Sequence, residues 1–559
     1  MALLPRRRSH TRPVPLAAAL VVACACAVPS QAAAPGAPGV ALPSMGDVSS
    51  QSLSPVAERK LGDRIMRSVR RDPAVVDDPL VQEHVQRIWD SLLTSARRRG
   101  EITEDFDAVY AWQPFLVKDR SVNAFALPGG YIGIHFGLLA VTATPEEFAS
   151  VLAHELSHVT QRHIARLMNQ SKEASWVSIA SMVLGAIALS RSPQAGQALI
   201  LGGQGLAQQG QLNFSRDMER EADRVGQGVL DDAGFDPTGM ARMFELLARA
   251  SRLNDDNSFP YLRTHPLTTE RIGEAQARLG GSSLGGLRAN RPLSASAQAL
   301  AVAQQMVSAR SRVLMDPRST SLGPMLAQAE LPNERLPAGV NPLVAHYTGL
   351  VAAVALRDAA QVDALSRKVR EDVAALPDAQ APTARRLWQL TWAEGLIDTG
   401  RAAQGLAMLQ PSLMTGRPLE PGSASALQPQ ARPELMLRAR AALNLPEVRD
   451  GRGEVQAALG DAASRLQALQ AEAQGQDLAA WQLLGAVFTR LNQPLRAVRA
   501  EAEAAALMGD LQGALDRVQA VRKRYPAPSS ADLIELQVLD ARARVWMQNL
   551  KDDLRDAQG

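Results

Sequence analysis

The sequence predicts an α+β domain, mainly helical with a small sheet, followed by an all-α domain built from degenerate repeats. Three observations predict this. Tyr131 to Phe136 places apolar residues on alternating faces, as a strand does, and a helix start at Thr144 follows closely. Gly280-Gly281-Ser282-Ser283-Leu284-Gly285-Gly286 reads as a flexible linker. Beyond it the chain is rich in alanine and leucine, helical in pattern, and without a clear strand. A chain of 559 residues also exceeds what one hydrophobic core usually organises.

The first segment, 1–32, reads as a secretory signal peptide. Arg6, Arg7, Arg8 and Arg12 form a charged start, Leu16 to Val28 an apolar core, and Ser30-Gln31-Ala32 a small-x-small cleavage site. Removing its four arginines takes the formal net charge from +3 to −1, so the basic balance belongs to the targeting segment and argues against nucleic-acid binding. Both cysteines, Cys24 and Cys26, leave with it, so the mature chain is expected to hold no disulfide. Val21-Val22-Ala23-Cys24 also resembles a bacterial lipobox, which makes a lipoprotein anchored through Cys24 the alternative to a freely soluble secreted chain. The expected domains are 33–285 and 286–559.

Thr144-Pro145-Glu146-Glu147 is a helix N-terminus: threonine as cap, proline at the first helical position, and a glutamate that closes a capping box. Phe148, Val151, Leu152, Leu156 and Val159 follow at helical spacing. Inside that helix lies His154-Glu155-Leu156-Ser157-His158. Histidines four apart sit about 400° round the helix, on one face, where two imidazoles can converge on one Zn²⁺. The glutamate between them is placed to act as general base. His163 arrives one residue too early for the third histidine of an HExxHxxGxxH motif, whose last two fixed positions here are Gln161 and Ile164, so that class is excluded. Downstream, Glu219 and Asp223 are four apart and share a helix face, whereas Glu221 points elsewhere. One carboxylate can complete a His₂Glu site and the other can hydrogen-bond the far nitrogen of a ligating imidazole.

These motifs resemble the gluzincin peptidases of the HtpX and CAAX-prenyl-protease family. The resemblance rests on HELSH, the Glu219-x-x-Ala222-Asp223 pattern, the Asn123-Ala124-Phe125-Ala126-Leu127-Pro128-Gly129-Gly130 strand and turn, and Thr264-His265-Pro266 with Arg271 beyond it. It implies that the α+β part is a zinc metallopeptidase domain with one Zn²⁺ held by His154, His158 and Glu219. Glu155 would be the base and Asp223 a further catalytic or supporting residue. His265 would stabilise the oxyanion or fill the open position of the metal. Substrate would add to an edge strand beside the zinc helix, for which Tyr131 to Phe136 is the expected segment, with Asn123, Ile132 and Ile134 as substrate-binding residues. His135 is expected to be a strand side chain and not a ligand.

Within the helical half, Trp481, Leu484, Gly485, Phe488 and Ala497 occupy early positions of a repeat near 34 residues long, and Gly509-Asp510, Ala514, Val518 and Pro526 later positions of the next. Thr399-Gly400-Arg401 after Trp392 resembles another inter-helix turn. A tetratricopeptide-like domain offers a concave surface to a protein partner. Soluble family members of this build act in the periplasm on unfolded or misassembled outer-membrane proteins. The resemblance therefore implies that substrate class and the β-barrel assembly machinery as a partner, or else a chaperone-like binding module with a silenced protease. Trp176 to Leu189 is apolar but shorter than the roughly 18–20 residues of a span, which leaves peripheral membrane contact open. The glycines at 202, 203 and 205 would let that segment move.

Overall fold

Four short strands form one sheet in the order β1-β2-β4-β3: Val75–Val76, Gln113–Val117, Tyr131–His135 and Ala124–Leu127, numbered β1, β2, β4 and β3 along the chain. β2 and β4 run parallel, and the other two pairings are antiparallel. The β3–β4 hairpin turns through Pro128-Gly129-Gly130, where both glycines hold positive φ (76° and 85°) that a residue with Cβ rarely adopts. The computed structural model describes residues 53–170, 215–253, 261–280, 293–409, 431–446, 452–524 and 530–558. The expected signal peptide with Cys24, the apolar stretch 176–189, the glycines at 202–205, the linker after Gly280 and most of the proline-rich segment 417–433 lie outside these residues.

The helices that build the site are α1 (Pro55–Val69), α2 (Pro79–Arg98), α3 (Pro145–Thr160), α4 (His163–Gln170), α5 (Arg216–Asp232), α6 (Thr238–Leu253), α7 (Tyr261–Thr264), α8 (Thr269–Gly280) and α9 (Ala295–Leu314). One core joins α2, α3, α5, α6, α7, α8 and α9 to the sheet, and a second packs α1 against Phe115, Val117, Leu127 and Tyr131. Val85, Ile88, Trp89 and Leu92 of α2 meet Ile132 and Ile134 of β4, Phe148, Leu152 and Leu156 of α3, and Val225 and Val229 of α5. The spacing of three and four between the apolar residues of α2 and α3 is what turns one stripe of each helix inward.

Beyond α9 every described element is helical. Trp481, Leu484, Phe488 and Ala497, the residues of the repeat pattern, are buried together between helices Leu478–Arg490 and Pro494–Leu507. Charged anchors tie this half to the α+β half. Arg310 on α9 is buried and forks onto Asp78 (2.9 and 2.6 Å) while also reaching Glu394 (2.8 Å). Arg386 bridges Glu83 and Glu434, and Arg64 and Arg67 both grip Asp553. No described helix is long and apolar enough to cross a membrane.

One expectation needs correcting here. Tyr131–His135 is an inner strand, paired on both sides, and Ile132 and Ile134 are fully buried. Its backbone groups are committed to β2 and β3, so it cannot accept an added strand. The edge beside α3 is β3, Ala124–Leu127.

Candidate metal centre

The register of α3 is set at its first turn. The Thr144 hydroxyl accepts from the Glu147 amide (3.3 Å), and the Glu147 carboxylate accepts from the amides of Ala143 (2.8 Å) and Thr144 (3.4 Å). Two and a half turns later His154 and His158 face α5, which begins at its own serine cap, Ser215 accepting from Met218 (3.2 Å). The two helix backbones nearly touch: a Cβ on Gly226 would lie 3.0 Å from the carbonyl oxygen of Ala153. Asp223 and Glu219, one and two turns before Gly226 on the same face, are thereby carried up to the histidines.

Four side chains converge. His154 Nε2 and His158 Nε2 are 3.0 Å apart, and His265 Nδ1 lies 3.3 Å from His154 Nε2. Glu219 Oε1 lies 3.0 Å from His265 Nδ1 and 3.5 Å from His158 Nε2. A tetrahedral zinc with bonds near 2.0–2.1 Å would separate its ligand atoms by about 3.3 Å. The observed separations bracket that value. His154, His158, Glu219 and His265 are all buried, and one donor atom from each fits within 4.8 Å of the others. Three nitrogens and a carboxylate oxygen are the donor set that zinc prefers.

Each ligating atom has a partner behind it. His154 Nδ1 is 2.9 Å from Asp223 Oδ1, and Arg271 forks onto Asp223 (2.7 and 2.9 Å), reaches the Pro266 carbonyl (2.9 Å), and lies 2.7 Å from Glu219 Oε2. Tyr261 stacks on the His265 ring, with centroids 4.6 Å apart. Burial works against charge on every member, and the partners decide the outcome. His154 is pulled down by burial but raised overall, to about 9, by Asp223 and Glu219. Burial keeps His158 neutral, well below its ordinary value. Glu219 and Asp223 are pushed up by burial yet end below the usual carboxylate range, Glu219 through His265 and His154, Asp223 through Arg271 and His154. The cluster is built around positive charge, which a bound cation would provide.

Glu155 differs from its neighbours. It is fully buried, and its carboxylate is within reach of the Ala126 backbone of β3. Burial raises its pKa, opposed by the charges of His265 and His154. His265 Nε2 stands 3.5 Å from its Oε1.

Of the residues singled out in the sequence, His154, Glu155, His158, Glu219, Asp223 and His265 come together. Asn123 does not join them: it sits at the start of β3, where its carbonyl accepts from the His135 amide (3.1 Å). His135 is a strand side chain bonded to Ser121 (2.9 Å). Two residues that helix periodicity alone turns away from the ligands also reach the site. His163 contacts His158 (2.8 Å between Nδ1 atoms), and Glu221 contacts His163 (3.0 Å), because α3 ends at Thr160 and the chain turns sharply at Arg162. Tyr261 carried no signal in the sequence.

Residues 79–279, which hold every member of this cluster, match the model of Peptidase family M48. They are a peptidase family M48 domain. Zinc is the metal that M48 peptidases use, and the buried His-His-Glu-His cluster fits it. The chain is 37% identical over 241 residues to the beta-barrel assembly-enhancing protease of Yersinia pestis, covering 42% of this chain and 47% of that protein. It is 34% identical over 240 residues to the protein of the same name from Escherichia coli strain K12, with the same coverage. The mitochondrial metalloendopeptidase OMA1 of Arabidopsis thaliana is 30% identical over 225 residues, 40% of this chain and 41% of that one. These matches span about half the length of the curated proteases, and the M48 domain accounts for most of them.

Proposed function

We propose that this protein is a zinc-dependent endopeptidase, with His154, His158 and Glu219 as metal ligands and Glu155 as general base. The observation that carries the reading is the convergence of the donor atoms of His154, His158, Glu219 and His265 with the fully buried Glu155 carboxylate beside them, a set of buried ionisable groups costly to keep for structure alone. Zinc bound there supplies a Lewis acid for the scissile carbonyl and the attacking water. Glu155 takes the proton from that water and delivers it to the leaving amine. Asp223 accepts from His154 Nδ1–H and so presents Nε2 to the metal, while Arg271 holds Asp223 in place. His265 either closes the fourth position in the resting protein or donates to the oxyanion once substrate has displaced it.

Substrate is proposed to add to β3. Asn123 already gives its carbonyl to β4, so in an antiparallel ladder Ala124 and Ala126 turn their backbone groups to the open edge. Pairing through backbone atoms favours extended, unfolded segments with little sequence preference. The relatives named for β-barrel assembly support unfolded or misassembled outer-membrane proteins as the substrate class and the periplasm as the compartment, reached through the signal peptide 1–32. The domain from 286 onward is proposed to be tetratricopeptide-like and to dock the assembly machinery.

A second reading is a binding module whose protease is held silent. The buried cluster favours it, since His265 occupies the corner that a substrate-accessible metal needs open. Zinc analysis together with cleavage of a loosely folded protein by wild type and Glu155→Gln separates the two. One zinc per chain in both proteins, with cleavage lost by about 10²–10⁴ in the variant, is expected. Full cleavage by zinc-loaded Glu155→Gln would discard the assigned base. No cleavage by zinc-loaded wild type would favour the binding module.

A further inference from the structure

His158 is held from behind as His154 is, but by a different chain of groups. His154 leans on Asp223, which leans on Arg271. His158 Nδ1 instead meets His163 Nδ1 at 2.8 Å, His163 Nε2 meets Glu221 Oε2 at 3.0 Å, and Arg166 Nη1 donates to the same oxygen at 2.9 Å. We infer that His163 and Glu221 are positioning residues for the metal, fixing the tautomer and the orientation of His158. This rests on the reading of His158 as a ligand.

Donor and acceptor counting leaves one arrangement. If Nε2 of His158 gives its lone pair to a metal, its Nδ1 must carry the proton and donate. His163 Nδ1 must then accept, which leaves the His163 proton on Nε2, where it donates to the Glu221 carboxylate. Arg166 donates from the other side and keeps that carboxylate ionised and in place. Every proton in the chain has a taker, and the chain ends on a carboxylate–arginine pair, as the one behind His154 does. A histidine ligand whose far nitrogen is fixed in this way binds its metal better than one left free.

The backbone is shaped for this contact. On a continuous helix a residue five after His158 would sit about 500° on, roughly 140° away from it, with no contact between the rings. Arg162 adopts a left-handed φ of 53°, which breaks α3 after Thr160 and swings His163 back against His158. A non-glycine residue in that conformation is strained and persists where its surroundings hold it. Here the Arg162 guanidinium is held by the Leu53 carbonyl and by Glu58 (3.3 Å). His163 is completely buried, whereas the Glu221 side chain is 31% exposed, so the relay runs from the metal to the protein surface.

The test is the zinc affinity of the full-length protein, measured by competition with a chromophoric chelator at fixed pH, with folding followed by circular dichroism. His163→Phe keeps the ring volume and removes both nitrogens; Glu221→Ala removes the carboxylate at a partly exposed position. Each is expected to weaken zinc by about 10–100-fold. The double variant should be no weaker than His163→Phe alone, because both act along one chain. His163→Asn, whose amide oxygen can replace the accepting Nδ1, should recover most of the affinity, which a role in packing would not explain. If zinc-loaded wild type and the folded variants bind within about threefold of one another, or if the two losses add, the inference fails. Should His163→Phe not fold, unchanged affinity in Glu221→Ala alone overturns it. Absence of zinc from wild type would instead overturn the reading of His158 as a ligand.

Discussion

Replacing Arg271 with methionine should destabilise the protein severely, and more so without zinc than with it. The guanidinium is 4% exposed and makes three hydrogen bonds, two to Asp223 (2.7 and 2.9 Å) and one to the Pro266 carbonyl (2.9 Å). It also lies 2.7 Å from Glu219 and over the Phe244 ring. Asp223 and Glu219 are each 1% exposed, so methionine would fill the space but strand two buried carboxylates. Removing one side of such a buried pair costs about 3–5 kcal/mol. For a cooperative unit near 200 residues, each kcal/mol moves Tm by about 2–4 °C, which gives a drop of roughly 6–20 °C. A bound zinc offsets part of the charge on Glu219, so the drop should sit near the lower end in loaded protein. Thermal unfolding followed by circular dichroism, with zinc and with a chelator, measures both. Arg271→Lys should fall between, since lysine keeps the charge but cannot fork. A Tm for Arg271→Met within about 2 °C of wild type in both conditions would refute the assigned role.

Two further outcomes are expected. At equal zinc occupancy, His265→Ala should raise turnover of a loosely folded substrate such as casein, because His265 Nδ1 stands at the fourth corner of the donor set, 3.0 Å from Glu219 Oε1 and 3.3 Å from His154 Nε2. A fall of about 10²–10³ in rate would show an oxyanion donor instead. His84, buried on α2 and bonded to Gln304 on α9 (2.7 Å), is pushed by burial from its ordinary 6.5 down to about 4. Its folded form resists protonation, so the associated stability, about 3 kcal/mol, is present above pH 6.5 and is lost as pH falls toward 4. His84→Gln should flatten that dependence. Equal losses of stability for wild type and variant between pH 7 and 4.5 would contradict it.

The sequence by itself determined what depends on local geometry. The capping box at Thr144 starts α3, and the spacing of four then aligns His154 with His158 and Glu219 with Asp223 whatever the rest of the chain does. His135 as a strand residue followed from strand alternation, whereas which carboxylate binds the metal and which stands behind a histidine came only with the family resemblance. Tertiary structure decided the rest. Which strand lies at the edge is a matter of pairing between distant segments, and Gln113–Val117 takes the side of β4 that its own sequence left open, leaving β3 exposed beside α3. Glu221 points away from Glu219 along its own helix, yet it reaches the centre through His163, because one left-handed residue, Arg162, turns the chain back after α3. Arg271 is another case: nothing near it in sequence asks for a buried cation, and only the convergence of α5 and α8 sets two carboxylates against it. Periodicity states which residues share a face; only packing states what that face meets.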